Sequence, residues 1–390
     1  MWPREMFLMT DVFIIAAVRT PIGVGKPEKG ALYPIAPIDL AAHVLSEVVR
    51  RGGIEPVLVE DVVMGCVTPV GDQGANIARL ATLKAGFPIT VPAVQINRMC
   101  GSSQQAIHFA AQEILAGDMD FAIGSGIEMM SHQMLGSDYP SSWPADFPYQ
   151  LVHQGISAEM MAEKWNLLRE ELDDYAYQSH LRAGNAMQAG LLQSQIAPVS
   201  VPNEDGGTNV VEHDEGVRFP PDREKMATLK TVFKEDGVIT AGNSSQISDG
   251  AAAVLLASEG AVQKHGLKPL ARIVARKVVG SDPVLMLDGP ISATQQVLER
   301  AGMSLADMGV IEINEAFASV VLAWQRELDA DLEVVNPHGG AIAHGHPLGA
   351  TGAILMTKLV HELQQNNARY GLQTMCIGHG MATATVIERA

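Results

Sequence analysis

Apolar positions along the chain follow two rhythms, one alternating or continuous over five to eight residues, the other recurring at about 3.6 residues. The first rhythm predicts a strand at 11–18 (Asp11-Val-Phe-Ile-Ile-Ala-Ala-Val18), then strands at 60–66 and 92–97, with helices near 38–52 and 74–86 between them. A helix over 102–116 follows, where Ala106, Ile107, Ala110, Ile114 and Leu115 recur on one face; Gly117 ends it and the strand Phe121-Ala-Ile-Gly124 comes next. Residues 128–245 break the pattern: they are Met-rich and punctuated by Pro and Gly, with helical stretches near 157–165 and 170–190 and few convincing strands. They read as an inserted, largely helical region. The alternation resumes with strands at 251–257 and 270–279, a helix near 290–302, a strand at 309–313 and a helix at 315–329. A strand around 332–336, a helix around 349–365 and a hairpin-like pair at 373–378 and 381–388 finish the chain.

The two outer stretches repeat in kind, since each runs strand, helix, strand and then a Gly-containing turn into a helix. The first turn is Asn97-Arg-Met-Cys100-Gly-Ser-Ser103; the second runs from Asn336 through His338, His344 and His346 to Gly352. A pseudo-two-fold arrangement would bring these turns together and place Cys100 within reach of His346.

A length of 390 residues implies two or three substructures around more than one core. The 47% hydrophobic fraction, 37 glycines and 18% charged residues suit a large α/β protein with many tight connections. A formal charge of −17 argues against broad binding to nucleic acid or an anionic membrane surface, and favours small-molecule chemistry. Cys66, Cys100 and Cys376 are too few and too scattered for a disulfide framework or a zinc finger, which points to a reducing, cytoplasmic setting. No apolar run reaches the roughly 18 residues of a membrane span, and no signal peptide is evident. Residues Met1 to Met9 read as dispensable, and Met9 could itself be a start.

Cys100 stands where an apolar strand gives way to a helix, so its sulfur would face unpaired amides and the positive end of the helix, an environment that favours the thiolate. Cysteines are more often buried and inert; Cys66, inside Val62-Val-Met-Gly-Cys-Val67, fits that description and Cys100, flanked by Gly101, Ser102 and Ser103, does not. His346 in Gly345-His-Pro-Leu-Gly349 could accept the Cys100 proton, although three histidines at 338, 344 and 346 leave a structural or metal-binding role open. Cys376, in Met375-Cys-Ile-Gly378-His-Gly380, ends a strand at a turn from which it could project into a cleft, or is a strand cysteine packed in a core. Asn314, in Glu312-Ile-Asn-Glu-Ala-Phe317, follows an apolar strand and is also a helix-capping candidate. The Gly-rich stretch 339–352 lacks the Gly-Lys-Ser/Thr ending of a phosphate-binding loop.

Taken together, Asn-Arg-Met-Cys100-Gly-Ser-Ser, Asn314-Glu-Ala-Phe317, Gly345-His346-Pro and Cys376-Ile-Gly378 stand in the order of the four blocks of the thiolases, and the chain resembles that family over nearly its full length. Val152-His-Gln-Gly-Ile-Ser-Ala-Glu-Met160 and Ala241-Gly-Asn-Ser-Ser-Gln-Ile-Ser-Asp-Gly-Ala-Ala252 are similar to thiolase stretches as well. The resemblance implies an α/β, thiolase-like fold of two pseudo-symmetric α-β-α-β-α layered halves with an inserted, largely helical loop domain. It divides the chain into an N-terminal half at 9–127 completed by 246–262, a CoA-gripping loop domain at 128–245, and a C-terminal half at 263–390. It makes Cys100 the nucleophile that carries the acyl group as a thioester, His346 its activating base and Cys376 the second acid/base. The enolate would be held by His346 and a water fixed on Asn314, and the tetrahedral oxyanion by the amides of Cys100 and Gly378. His153 and Ser245 match positions that meet CoA or the thioester, and Arg218 is a candidate for the nucleotide end. CoA enters as a co-substrate, with no metal or bound cofactor, and a homodimer or homotetramer is implied.

The reaction so implied is thiolytic cleavage of a 3-ketoacyl-CoA to acetyl-CoA and a shortened acyl-CoA, or the reverse condensation. The Ser-Ala-Glu-Met stretch leans toward degradative enzymes, including those of bacterial lipid or steroid side-chain breakdown. Three departures from the family pattern, His379 for a common glycine, His344 for an apolar residue and Gln154 for methionine, bear on the acyl pocket. Competing readings are an acetoacetyl-CoA-specific biosynthetic thiolase, a decarboxylating ketosynthase, and a non-catalytic acyl-CoA or sterol carrier.

Overall fold

The structure, a computed structural model, describes residues 11–203 and 205–390, so the expectations for Met1 to Met9 lie outside the described residues. The chain begins with β1 (Val12–Arg19), β2 (Gly23–Val24), α1 (Pro37–Gly52), β3 (Asp61–Gly65), α2 (Ile77–Lys84), β4 (Ala93–Ile96), α3 (Ser102–Ala116) and β5 (Phe121–Met129). The inserted region contributes α4 (Gln154–Lys164), α5 (Arg169–Gln188), β6 (Val199–Pro202), β7 (Thr208–Val211) and α6 (Arg223–Ala227). Then come β8 (Ser248–Ser258), α7 (Glu259–His265), β9 (Ala271–Gly280), α8 (Gly289–Ala301), β10 (Val310–Ile313), α9 (Ala318–Leu328), α10 (Thr351–Gln365), β11 (Tyr370–Ile377) and β12 (Met381–Arg389).

One sheet runs in the order β10-β11-β12-β9-β1-β8-β5-β3-β4, with β2 alongside β8. Outward from its middle the two sides match: β1 to β8 and β8 to β5 are antiparallel and β5 to β3 parallel, while β9 to β12 and β12 to β11 are antiparallel and β11 to β10 parallel. The halves join where β1 meets β9, through the pairs Phe13–Arg272 and Ile14–Ala271. The expected strand at 332–336 is the counterpart of β4, and it is not a strand. A 3-10 turn occupies Leu332–Val334, and a single bridge joins Val335 to Ile311. Beyond that bridge the side chain of Asn336 replaces the ladder, accepting from Ile313 N and donating to Ile313 O, both at 2.9 Å.

Alternation decides the layers. In β8, Ala251, Ala253, Leu255 and Ala257 face the core under α1 and α2, while Ala252, Val254 and Leu256 face α3 and α10, so both faces are covered and the strand is apolar over 251–257. Ile107, Ala110 and Ile114 of α3 share that middle core with Ile354, Leu359 and Leu363 of α10. Val297, Val321 and Trp324 of α8 and α9 close the far side. The result is five layers, helix–sheet–helix–sheet–helix, with the inserted α4 and α5 packed on α9 through Met161, Leu172, Ala176 and Val320.

Other departures have local causes. The strand expected to stop at Gly124 continues to Met129, buried over all nine residues, because β3 pairs with it as far as Gly126 and β8 as far as Met129. The insertion holds the hairpin of β6 and β7, whose first strand alternates buried and exposed positions over four residues, too few to stand out in sequence. Helix α7 is capped by Ser258, whose side chain accepts from Ala261 N (3.0 Å), and went unread for the same reason. Helix α2 is shorter than 74–86 because Asn76, in the left-handed conformation, caps its start.

Candidate active site

The turn before α3 is tied by its own side chains. Asn97 donates to Val67 O (2.9 Å) and accepts from Met99 N (2.8 Å), while Ser102 Oγ donates to Met99 O (2.6 Å) and accepts from Arg98 N (2.9 Å). These bonds hold Met99 at φ 45°, a left-handed backbone that a methionine rarely adopts, and deliver Cys100 at the start of the helix. A Cβ on Gly101 would lie 2.3 Å from Ile377 Cδ1, so the absence of a side chain lets the β11–β12 turn close over Cys100. The N–H groups of the Gly378 amide and of the Gln154 side chain then stand close enough to the Cys100 sulfur to favour its charged form. Val67, Met130, Leu348, Met375 and Ile377 share one apolar cluster with Cys100.

That enclosure corrects one expectation. Burial outweighs the donors and pushes the Cys100 thiol up to about 11, so the free protein holds a thiol there, not a thiolate. Burial also raises Cys376, two residues before Gly378, and negative charge on Cys100 raises it further. Cys376 belongs to a cluster with Met286, Ala316 and Phe317, next to the Asn314 loop.

His346 is positioned through its first ring nitrogen. Thr351 Oγ1 lies 2.6 Å from His346 Nδ1 and donates its only proton to Pro347 O (2.8 Å). A hydroxyl whose proton is committed can only accept, so Nδ1 carries the hydrogen and Nε2 keeps its lone pair. Burial lowers the pKa of this imidazole to about 4, which keeps it neutral. Nε2 faces Asn314 Nδ2 at 3.4 Å, and Asn314 Oδ1, fully buried, has no hydrogen-bond partner among the described residues. The adjacent Glu315 accepts from Tyr175 (2.8 Å), Ser179 (2.7 Å), Asn336 (3.0 Å) and Ile342 N (3.1 Å), which fastens the 336–346 loop to α5.

The two turns meet as the repeat predicted. A Cβ on Gly352 would fall 2.2 Å from Gln104 N, and Ala353 N donates to Ser103 Oγ (2.9 Å), so α3 and α10 cross at their first turns. Glu128, at the end of β5, binds Val67 N (2.8 Å), Thr68 N (3.1 Å) and Gly349 N (2.8 Å), stitching the nucleophile's half to the histidine's loop. Burial holds its carboxyl above the ordinary carboxylate range. Glu128, Thr351 and Glu315 were not singled out in sequence, and Gln154 was read as bearing on the acyl pocket rather than on the Cys100 sulfur. Only Thr351 left a signal, a hydroxyl in the first helical turn after His346.

His153 caps α4, accepting from Gly155 N (3.1 Å), and stacks on Phe233 at 5.1 Å, which meets Phe317 edge-on at 6.1 Å. His153 and Gly378 line one cavity of about 420 Å³ together with Tyr139, Trp143 and Met286. The exposed Arg218 lines a separate cavity of about 450 Å³ with Lys225, Pro220 and Pro221. Ser245 lines neither; its amide donates to Ala316 O (3.0 Å), beside the Asn314 loop. The other two histidines turn elsewhere: His344 Nδ1 lies 2.7 Å from Asp214, the carboxylate paired with Arg19, and His338 Nδ1 lies 3.2 Å from Glu362. Among the described residues, no group of three or more His, Cys, Asp or Glu side chains converges as a metal site.

Comparison with known proteins shows the family. Residues 12–260 match the family described as thiolase, N-terminal domain, and residues 267–389 match thiolase, C-terminal domain. The chain is 47% identical to the steroid 3-ketoacyl-CoA thiolase FadA6 of Mycobacterium tuberculosis, over 98% of this chain and 95% of that protein. It is 42% identical to the 3-oxoadipyl-CoA/3-oxo-5,6-dehydrosuberyl-CoA thiolase of Escherichia coli, over 98% and 100%. The structure of human mitochondrial 3-ketoacyl-CoA thiolase superposes with a TM-score of 0.89 at 37% identity, covering 98% of this chain and all of that one. The Bacillus anthracis acetyl-CoA acetyltransferase gives 0.90 at 40% identity, over 98% and 99%.

Proposed function

The chain belongs to the thiolase family, an acyltransferase that cleaves 3-ketoacyl-CoA with CoA, and on that premise we propose the roles its residues play. Cys100 gives its proton to His346 Nε2 and its sulfur attacks the 3-keto carbon. The alkoxide that forms is held by the amides of Cys100 and Gly378. When the carbon–carbon bond breaks, the electron pair passes to the acetyl-CoA enolate, stabilised by His346 and by a water accepted on Asn314 Oδ1; Cys376 then protonates its α-carbon. Acetyl-CoA leaves, and the CoA thiol takes the shortened acyl group from Cys100 in the second half of a ping-pong cycle. The observation that carries this reading is the meeting of the two turns: Ala353 N donates to Ser103 Oγ across the halves, and the β11–β12 turn that follows Cys376 closes over Cys100 where Gly101 has no side chain. A neutral thiol and a neutral imidazole also suit a nucleophile that ionises only as substrate arrives.

The direction we propose is degradative, on acyl groups larger than acetyl. The cavity at Gly378 is of a size that holds a drug-sized ligand, and Tyr139, Trp143 and Met286 in its wall suit an apolar tail. The relative at 47% identity is named for steroid 3-ketoacyl-CoA. CoA lies along the 128–245 loop domain, its nucleotide end toward Arg218 and Lys225 and its thiol end toward His153 and Ser245. The 9–127 plus 246–262 half supplies Cys100, and the 263–390 half supplies His346 and Cys376. No described helix is long and apolar enough to cross a membrane, and we place the enzyme in the cytoplasm as a homodimer or homotetramer. The test is CoA-dependent cleavage of 3-ketoacyl-CoA esters, from acetoacetyl to long-chain and ring-bearing, beside a Cys100→Ala control. Cleavage lost in the control and fastest with the larger esters is expected. Wild-type activity equal to the control on every ester overturns the reading.

A further inference from the structure

The turn between β11 and β12 contains Gly378, His379 and Gly380, since Ile377 pairs with Met381. His379 sits at φ 64° and Gly380 at φ 75°, the left-handed region where glycine is free of strain and an imidazole is not. A histidine held there beside the nucleophile's amide donor asks for a function, because strain of this kind persists where surrounding contacts require it. Its contacts are aromatic: the His379 ring lies 6.0 Å from Tyr139 and 5.9 Å from Trp143, and these two lie 6.4 Å from each other.

Two cavities meet at this ring. The inner one, of about 420 Å³, reaches Gly378 and is walled by Leu135, Tyr139 and Met286 as well as by Trp143, Leu151 and His379. The outer one, of about 260 Å³, is lined by Phe147, Tyr149 and Pro283 and again by Trp143, Leu151 and His379. Those three residues are therefore a partition between two chambers. Among the described residues, neither chamber is lined by a lysine or arginine, so a carboxylate at the far end of an acyl group would find there no basic side chain beyond the imidazoles of His153 and His379.

We propose that His379, with Trp143, is a specificity-determining residue that grips a flat or ring-shaped apolar group in the acyl tail of the substrate. Rings present large contact area with few torsions to freeze, so an aromatic partition favours them over flexible chains of equal size. The inference rests on the thiolysis reading above, and the two can fail separately.

The experiment compares kcat/KM for a 3-ketoacyl-CoA bearing a cyclohexyl or phenyl group beyond the 3-keto carbon with that for acetoacetyl-CoA. It also includes a straight-chain ester of equal carbon number and one ending in a carboxylate. His379→Gly removes the ring at a position where glycine relieves the backbone, and Trp143→Leu removes the other face. Each variant is expected to lower the ratio of ring-bearing to straight-chain kcat/KM about threefold to tenfold, the worth of one aromatic contact. The wild type is expected to disfavour the carboxylate-ended ester. A ratio that stays within twofold of wild type in both variants, or rises, overturns the inference. So does a wild type that prefers the carboxylate-ended ester. Wild type inactive on every ester would instead overturn the thiolysis reading.

Discussion

Replacing Thr351 by valine keeps the shape of the side chain and removes one hydroxyl, and the consequence for His346 can be worked from two bonds. Thr351 Oγ1 accepts from His346 Nδ1 at 2.6 Å and donates to Pro347 O at 2.8 Å. Valine leaves Nδ1–H buried without an acceptor, at a cost of about 1–3 kcal/mol. The ring can escape that cost by moving its proton to Nε2, the nitrogen that must be bare to take the Cys100 proton. Either way the productive tautomer is disfavoured by that amount, about 5-fold to 150-fold in the rate of acyl transfer to Cys100. Rapid-quench measurement of the acyl-enzyme by intact mass reads this step directly. Thr351→Ser restores the hydroxyl and should return the rate to within a few-fold of wild type. A valine variant acylated at the wild-type rate, or a serine variant as slow as valine, would refute the assignment of the tautomer.

Alkylation of Cys100 by iodoacetamide should be about 100-fold slower at pH 8 than for a thiol of ordinary pKa near 9.0, because burial raises it to about 11, and should climb about tenfold per pH unit to pH 10. A plateau below pH 8, seen by peptide mass spectrometry, would contradict the buried thiol. His346 is held neutral in the fold with its pKa lowered from 6.5 to about 4. Its contribution is therefore complete above about pH 6.5 and is lost as pH falls toward 4. That amounts to about 2 kcal/mol of the decline between pH 7 and pH 5, read as the difference in urea unfolding between wild type and His346→Asn. Gly352→Ala sets a Cβ 2.2 Å from Gln104 N, a backbone atom that cannot swing aside, and should cost about 1–3 kcal/mol in the same unfolding assay.

Which parts of this were legible in sequence follows from how local their causes are. The alternation in β8 and the helical spacing of Ile107, Ala110 and Ile114 record the layers that cover them, so the elements and their repeat could be read directly. The two Gly-containing turns announced that Cys100 and His346 are related by the repeat. Residues 332–336 look like a strand because Val334 and Val335 are apolar, yet the side chain of Asn336 supplies the ladder bonds, and an asparagine gives no sign of doing so in advance. Glu128 reads as a charge at the end of an apolar run; its three amide donors come from residues 67, 68 and 349, which only the fold assembles. The thiolate expected of Cys100 failed for the same reason. The helix start was visible next to it, but the enclosure by Ile377 and Leu348 is contributed from the far end of the chain.

That distance has a bearing on how the protein is made. The β11–β12 hairpin, which closes over Cys100 and carries Gly378 and Cys376, is the last element of the described chain. A ribosome therefore presents Cys100 with neither its cover nor its partners while most of the remaining residues are still being added, and domains folding from the N-terminus cannot supply them. Until the hairpin docks, the thiol has the ordinary reactivity of an exposed cysteine and is open to oxidants and alkylating agents. Docking of the hairpin thus does two things in one event: it shields the nucleophile from the cell and makes it competent for its own substrate.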